Sequence, residues 1–216
     1  MLCDHGRKRN PGKGSIPGQF SYGNDAVETV SYDPEEAKKL LEESGWTDTD
    51  GDGYVDKDGQ KLTINWLTYP TRLEQPKLAE YAQATLKEIG IDVSVNNTSD
   101  HRTYAENGEF DVYVSSLTTA PTGDPEYFFS STVTGSKNYG NYQNDEVTKL
   151  TEQLHQTFDT DERGKLAVEL QQKILDDDAY FFVSHLNMGI VTKANVTGMA
   201  AHPCDYYEIT ADLDVQ

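Results

Sequence analysis

Between residues 62 and 114 the spacing of apolar residues switches back and forth between two periods, and this constrains the fold more than any other feature of the chain. Leu62, Ile64 and Trp66 alternate with polar residues, the period of a strand. Leu78, Tyr81, Ala82, Leu86 and Ile89 then recur at helical spacing over 75–89, with Gly90 as the stop. Ile91, Val93 and Val95 alternate again, a short polar helix follows near 100–107, and Phe110, Val112 and Val114 make a third strand. Strand–helix–strand–helix–strand with connections of this length implies right-handed crossovers and a largely parallel sheet. The polar alternate positions imply that one sheet face is only partly covered.

Upstream, residues 1–31 carry Pro11, Pro17 and several glycines without hydrophobic periodicity, and read as an extended lead-in. Asp33-Pro34 is an N-cap followed by proline at the first helical position; Ala37, Leu40 and Leu41 give a stripe, and Gly45 ends it. Downstream, Val147, Leu150, Leu154 and Phe158 mark one helix. Asp159 with Glu162 opens another as a capping box, with its stripe at Leu166, Leu170 and Ile174. Tyr180–Ser184 and Gly189–Thr192 return to a strand-like pattern. The fold class is α/β, a mostly parallel sheet flanked by helices, with a helical second half.

A formal net charge of -19 argues against nucleic acid or an anionic membrane surface as partner, because both are polyanions. No apolar run approaches a membrane span, and Met1–Lys13 lacks the apolar stretch of an export signal. Cys3 and Cys204 show no metal-ligand spacing, and a disulfide between them stays open. His5, His101, His155, His185 and His202 are all isolated, which argues against a zinc or nickel site preformed by this chain alone.

Three segments carry candidate sites. Asp48, Asp50, Asp52, Tyr54 and Asp56 stand at positions one, three, five, seven and nine of a calcium-type loop, with Gly53 at the turn position. Position twelve is Gly59 rather than a bidentate Glu, so the segment reads either as a structural Ca²⁺ site or as a hydrated turn between helix and strand. The loop after the first strand contains Tyr69 and Arg72, where Arg72 is suited to clamp a carboxylate. The loop after the third strand offers the hydroxyls of Thr118, Thr119 and Thr122, and then Asp124 before Pro125, with Tyr127 opening an aromatic neighbourhood. Asp124 suits either a ligand cation or the cap of the helix that Pro125 begins. Carboxyl ends of strands in an open α/β sheet are where such folds bind ligands. Hydroxyls and one carboxylate without a nucleophile–base arrangement hold a ligand rather than transform it.

The segments Tyr32-Asp-Pro-Glu-Glu-Ala-Lys-Lys-Leu-Leu-Glu-Glu-Ser-Gly-Trp46, Leu86-Lys-Glu-Ile-Gly-Ile-Asp-Val93 and Asn138-Tyr-Gly-Asn-Tyr142 resemble the C-terminal part of solute-binding proteins of bacterial ABC importers. The group is the one that carries nickel complexes, dipeptides and oligopeptides, and Ala120–Phe129 is most similar to its nickel-type branch. The resemblance implies one lobe of a type II periplasmic-binding-protein fold, and residues 1–31 as a lobe-connecting lead-in. It further implies a ligand-binding lobe over 32–180 and a tail at 181–216 that returns to the other lobe. It implies a monomeric, extracytoplasmic component that needs no cofactor. Such a component captures a peptide or metal chelate (Ni²⁺ as cargo) by lobe closure and hands it to the importer's membrane subunits. The tryptophan and histidine that some nickel binders carry near this loop have no match here. Two other readings stand beside it: a calcium-stabilised protein-interaction domain, and a hydrolase using Asp124 with His185 or His101.

Overall fold

The computed structural model describes residues 9–186, 189–201 and 209–216. In chain order the elements are β1 (Arg9–Pro11), a 3-10 turn (Asn24–Ala26), α1 (Pro34–Glu43), β2 (Asp56–Lys57), β3 (Gln60–Lys61), β4 (Thr63–Thr68) and α2 (Glu74–Lys87). They continue with β5 (Asp92–Asn97), α3 (His101–Glu106), β6 (Val112–Tyr113), α4 (Glu126–Phe128) running into a π turn (Phe129–Val133), α5 (Asp145–Gln156), α6 (Thr160–Asp176), β7 (Ser184–Leu186), β8 (Val196–Thr197) and β9 (Asp214–Val215). The chain divides into two compact units, Val30–Leu117 and the pair of segments Met1–Thr29 with Thr118–Gln216. Residues 32–180 therefore fall into both units. Cys3, Cys204, His5 and His202 lie outside the described residues.

In the unit Val30–Leu117 the three strands expected from periodicity form one parallel sheet in the order β5–β4–β6. Trp66 stands opposite Val95 on one side and Val112 on the other. The first strand sits centrally because each crossover helix returns the chain to a different side of it. Leu67, Val93, Ile91 and Ala79 are buried between sheet and helices. Tyr81, expected to face inward, is 49% exposed, and α2 is fully buried only at Gln75 and Ala79. Gly90 ends this helix at φ +80°, and its carbonyl accepts the Val55 amide at 2.7 Å. A Cβ there would come within 2.9 Å of Val55, so glycine serves both conformation and packing. Asp33 caps α1 by accepting the Glu36 amide at 3.0 Å, yet no residue of that helix is buried and Leu40 is 53% exposed.

The other unit is built on one apolar cluster: Phe128 and Phe129, Val147, Leu150 and Leu154 of α5, and Leu166, Leu170 and Ile174 of α6, joined by Ile16. The capping residue of α6 is Asp159, whose Oδ1 accepts the Asp161 and Glu162 amides, as its position before the helix predicts. The lead-in is folded into this core. Ile16 is fully buried, β1 pairs antiparallel with β7, and Asn24 Oδ1 accepts the amides of Lys13 and Gly14. The strand-like alternation of 180–184 has another cause than a ladder. Tyr180 and Phe182 stack 6.1 Å apart and both meet Phe128 edge-on, while pairing begins only at Ser184. Residues 189–192 form no regular element, and Val191 is 95% exposed. Among the described residues, no helix is long and apolar enough to cross a membrane.

Candidate functional site

β4 is flanked by β5 on one side and β6 on the other, so the chain reverses its winding direction at β4. The carboxyl end of such a switch point is where parallel sheets leave a crevice for ligands. Here that end carries an aromatic stack. Tyr69, directly after β4, is 7% exposed, and its hydroxyl accepts the Ser116 amide at 3.1 Å. The His101 ring lies on Tyr69 at 4.1 Å between centroids, and its Nδ1 meets the Tyr113 hydroxyl at 2.6 Å. Burial lowers the His101 pKa, the Arg102 charge adds to this, and Asp100 opposes it. The imidazole is thereby biased toward its neutral form.

Gln75, at the start of α2, donates from Nε2 to Ser116 Oγ at 2.9 Å, which ties the two loop bases of this unit together. Gln75 Oε1, Glu74 Oε1 and Thr68 Oγ1 are buried without a hydrogen-bond partner. Arg72 is exposed, and its guanidinium makes no ion pair among the described residues. Of the site residues expected in this unit, Tyr69 is a packed framework side chain and Arg72 is the accessible one.

The loop entered at Thr118 belongs to the other unit. Thr118 and Thr122 are exposed and Thr119 is half-buried. A turn closes through the Gly123 amide to the Ala120 carbonyl at 3.0 Å, and Tyr22 donates its hydroxyl to the Gly123 carbonyl. Asp124 caps the short helix α4 by accepting the Glu126 amide at 2.9 Å. Both of its carboxylate oxygens also pair with Arg163, from Nε at 2.9 Å and from Nη2 at 2.7 Å. Glu126 takes a further bond from Arg163 Nη2 and one from His155 Nδ1 at 2.7 Å. Burial opposes ionisation of Glu126, but these two hydrogen bonds hold its carboxyl below the usual range. Tyr127 is 41% exposed, with Lys137 bonded to its hydroxyl at 3.2 Å.

The network of Arg163, Asp124, Glu126 and His155 escapes sequence reasoning, because its bonded partners lie 29 to 39 residues apart in the chain with no motif around them. His101 and Tyr113, 12 residues apart, likewise sit in no motif. His185, the other histidine of the hydrolase reading, has Nε2 buried without a partner, and burial lowers its pKa.

The acidic turn brings three carboxylates together: oxygens of Asp48, Asp50 and Asp56 lie within 4.8 Å of one another. Asp52 bonds the Tyr54 amide instead, at 2.8 Å. Asp48 accepts the Gly51 and Gly53 amides at 2.7 and 3.0 Å, and Gly53 has φ +88°. The Thr49 amide and hydroxyl bond Asp56 at 2.9 and 2.7 Å and lower its pKa.

The unit Val30–Leu117 is thus an α/β domain whose central parallel sheet carries aromatic and polar side chains at its carboxyl edge. Residues 6–140 match the family described as bacterial extracellular solute-binding proteins, family 5 Middle, and the chain belongs to that family. Its members are non-catalytic transport components, so the hydrolase reading falls.

The oligopeptide-binding protein AppA of Bacillus subtilis is 32% identical over 201 residues, covering 89% of this chain and 37% of AppA. The nickel-binding periplasmic protein of Escherichia coli is 28% identical, covering 84% of this chain and 36% of that protein. The chain thus spans under two fifths of the length of these relatives. The structure of AppA in complex with a nonapeptide superposes with a TM-score of 0.73 at 28% identity, over 91% of this chain and 40% of AppA. A nickel ABC transporter structure from Bacillus halodurans gives 0.72 at 26% identity, over 96% of this chain and 44% of the other. The fold is that of type II periplasmic binding proteins.

Proposed function

We propose that this chain supplies ligand-contacting surface to the extracytoplasmic solute-binding component of an ABC importer for small peptides or nickel chelates. The observation that carries the reading is Arg72, an exposed guanidinium without a partner among the described residues, three positions after buried Tyr69, on which the half-buried His101 stacks with Tyr113 bonded to it. A rigid aromatic floor with one free fork of donors suits a solute that bears a carboxylate, as peptides and amino-acid chelates of nickel do. In this reading Arg72 of the unit Val30–Leu117 contacts cargo, with Tyr69 packed as the floor behind it; taken by itself, the other unit offers Thr118, Thr119, Thr122 and Tyr127 as candidate contacts. Closure of two lobes in the whole protein excludes water, the monomeric protein docks on the importer's membrane subunits, and no cofactor takes part. The relatives that bind oligopeptides and nickel support both cargo classes.

Native mass spectrometry of the protein purified without refolding tests the reading. A nickel-isotope adduct, alone or with a chelator, places the cargo with metal complexes, and a series of peptide masses places it with peptides. Absence of both, with no response to either probe in solution, would sink the proposal.

The same reading assigns a structural calcium ion to the turn Asp48–Asp56, on the convergence of Asp48, Asp50 and Asp56 within 4.8 Å. Hard oxygen donors at this spacing suit calcium. A melting temperature that is the same in calcium and in chelator would remove this assignment.

A further inference from the structure

Asp124 is the one carboxylate of the Thr118–Asp124 loop, and in isolation it would make the loop an anchor for a ligand ammonium. Its surroundings remove that role. The guanidinium of Arg163 has five N–H donors. All are placed: Nε and Nη2 on the two oxygens of Asp124, Nη2 also on Glu126 Oε2 at 2.9 Å, and Nη1 on the carbonyls of Leu154 and Thr157 at 2.6 and 2.7 Å. The last two carbonyls lie at the end of α5, where a helix presents unpaired acceptors and partial negative charge. The Arg163 side chain is only 13% exposed, against 41% for Asp124. The planar fork is therefore held on three sides, and the hydrogen bond to Asp124 raises the Arg163 pKa.

We infer that Arg163 sets the charge character of this loop: it positions the loop through Asp124 and withdraws that carboxylate from cargo, leaving the threonine hydroxyls as the loop's recognition groups. The inference rests on the proposed binding function and deepens it. Cargo meeting this loop is selected by neutral hydrogen bonding rather than by pairing a positive group with Asp124.

The consequence is a gain of selectivity on mutation. NMR titration of the ¹⁵N-labelled 216-residue chain with dialanine and with N-acetyl-dialanine reads the amides of Thr118–Asp124 directly. The native loop, and Asp124→Asn, should show no preference for the free amine. Arg163→Met frees the carboxylates of Asp124 and Glu126, and should create a preference for dialanine of about tenfold in apparent affinity. The double variant Asp124→Asn/Arg163→Met should lose most of that preference. If Arg163→Met fails to fold, Arg163→Gln, which keeps donors for the Leu154 and Thr157 carbonyls, takes its place.

A native amine preference that disappears in Asp124→Asn would overturn the inference, as would no gain in the folded Arg163 variant. Neither outcome depends on the natural cargo. A failure of the importer reading is seen in the mass-spectrometric experiment, and a failure of this one in the loop amides.

Discussion

The backbone amide of Ile16 donates to Oε1 of Gln171 at 3.2 Å, across 155 residues of sequence. Gln171 is fully buried; its Oε1 also accepts from Ser15 Oγ, and its Nε2 donates to the carbonyls of Tyr22 at 2.8 Å and Ala167 at 3.1 Å. One amide side chain thus joins the lead-in to α6 and lets Ile16 enter the apolar cluster with its backbone satisfied.

Gln171→Leu should therefore destabilise the chain strongly, by about 2–4 kcal/mol, because it removes the partners of the Ile16 amide, the Ser15 hydroxyl and the Tyr22 carbonyl. Gln172→Ala, at a half-buried position whose bonds to Glu28 lie at the surface, should cost under about 1 kcal/mol. Urea unfolding midpoints of the two variants, read by circular dichroism, compare them directly. Equal midpoints would mean that the lead-in is not held by this contact.

Stability should fall as pH drops through the histidine range. Burial lowers the pKa values of His101 and His185, so the unfolded chain binds more protons than the folded one below about pH 6.5. A second loss should begin near pH 4. There Asp177, held low by hydrogen bonds from Tyr142 at 2.5 Å and Asn144 at 2.7 Å, becomes protonated in the unfolded chain before the folded one. Melting temperature against pH should show both steps, and His101→Gln should flatten the first. A curve unchanged by that substitution would remove His101 from the account.

Asp48→Asn tests the acidic turn in two conditions. In chelator it should cost about 1 kcal/mol, because Asp48 accepts the Gly51 and Gly53 amides on separate oxygens and the single amide oxygen of Asn can keep only one of them. In millimolar calcium the native chain should gain a few degrees in melting temperature and the variant should not.

Arg72→Ala should leave stability within about 0.5 kcal/mol, since the side chain is exposed and pairs with no acid among the described residues. Its effect should appear in binding. Dialanine should lose about tenfold in affinity, while dialanine amide, which lacks the carboxylate, should be unaffected. Equal losses for both probes would show that Arg72 acts on the loop rather than on the ligand.

The parallel sheet was legible because its signal is local. Strand period, helix period and the stops at Gly45 and Gly90 each arise within a few residues, and Ile64, Val93 and Val112 appear in strands as their alternation requires. The helices at 145–156 and 160–176 were legible for the same reason, with Asp159 as the cap of the second; the Asn144 cap of the first escaped the reading, and Phe158, expected on its stripe, lies beyond its end and is 91% exposed. The segment 180–184 misled the reading. An aromatic at every second position looks alike whether the backbone joins a ladder or simply lays Tyr180 and Phe182 on Phe128.

By itself the sequence determined the α/β class, the identity of most elements and the two loops that follow β4 and β6, since all of these rest on contacts between near neighbours in the chain. Only the tertiary structure decided what those loops offer. Asp124 reads as a ligand anchor or a helix cap until α6 brings Arg163 to it from 39 residues away. His101 reads as isolated until α3 lays it on Tyr69 and against Tyr113. Charge and hydrogen-bonding capacity depend on what surrounds a side chain, and for these residues the surroundings come from distant parts of the chain.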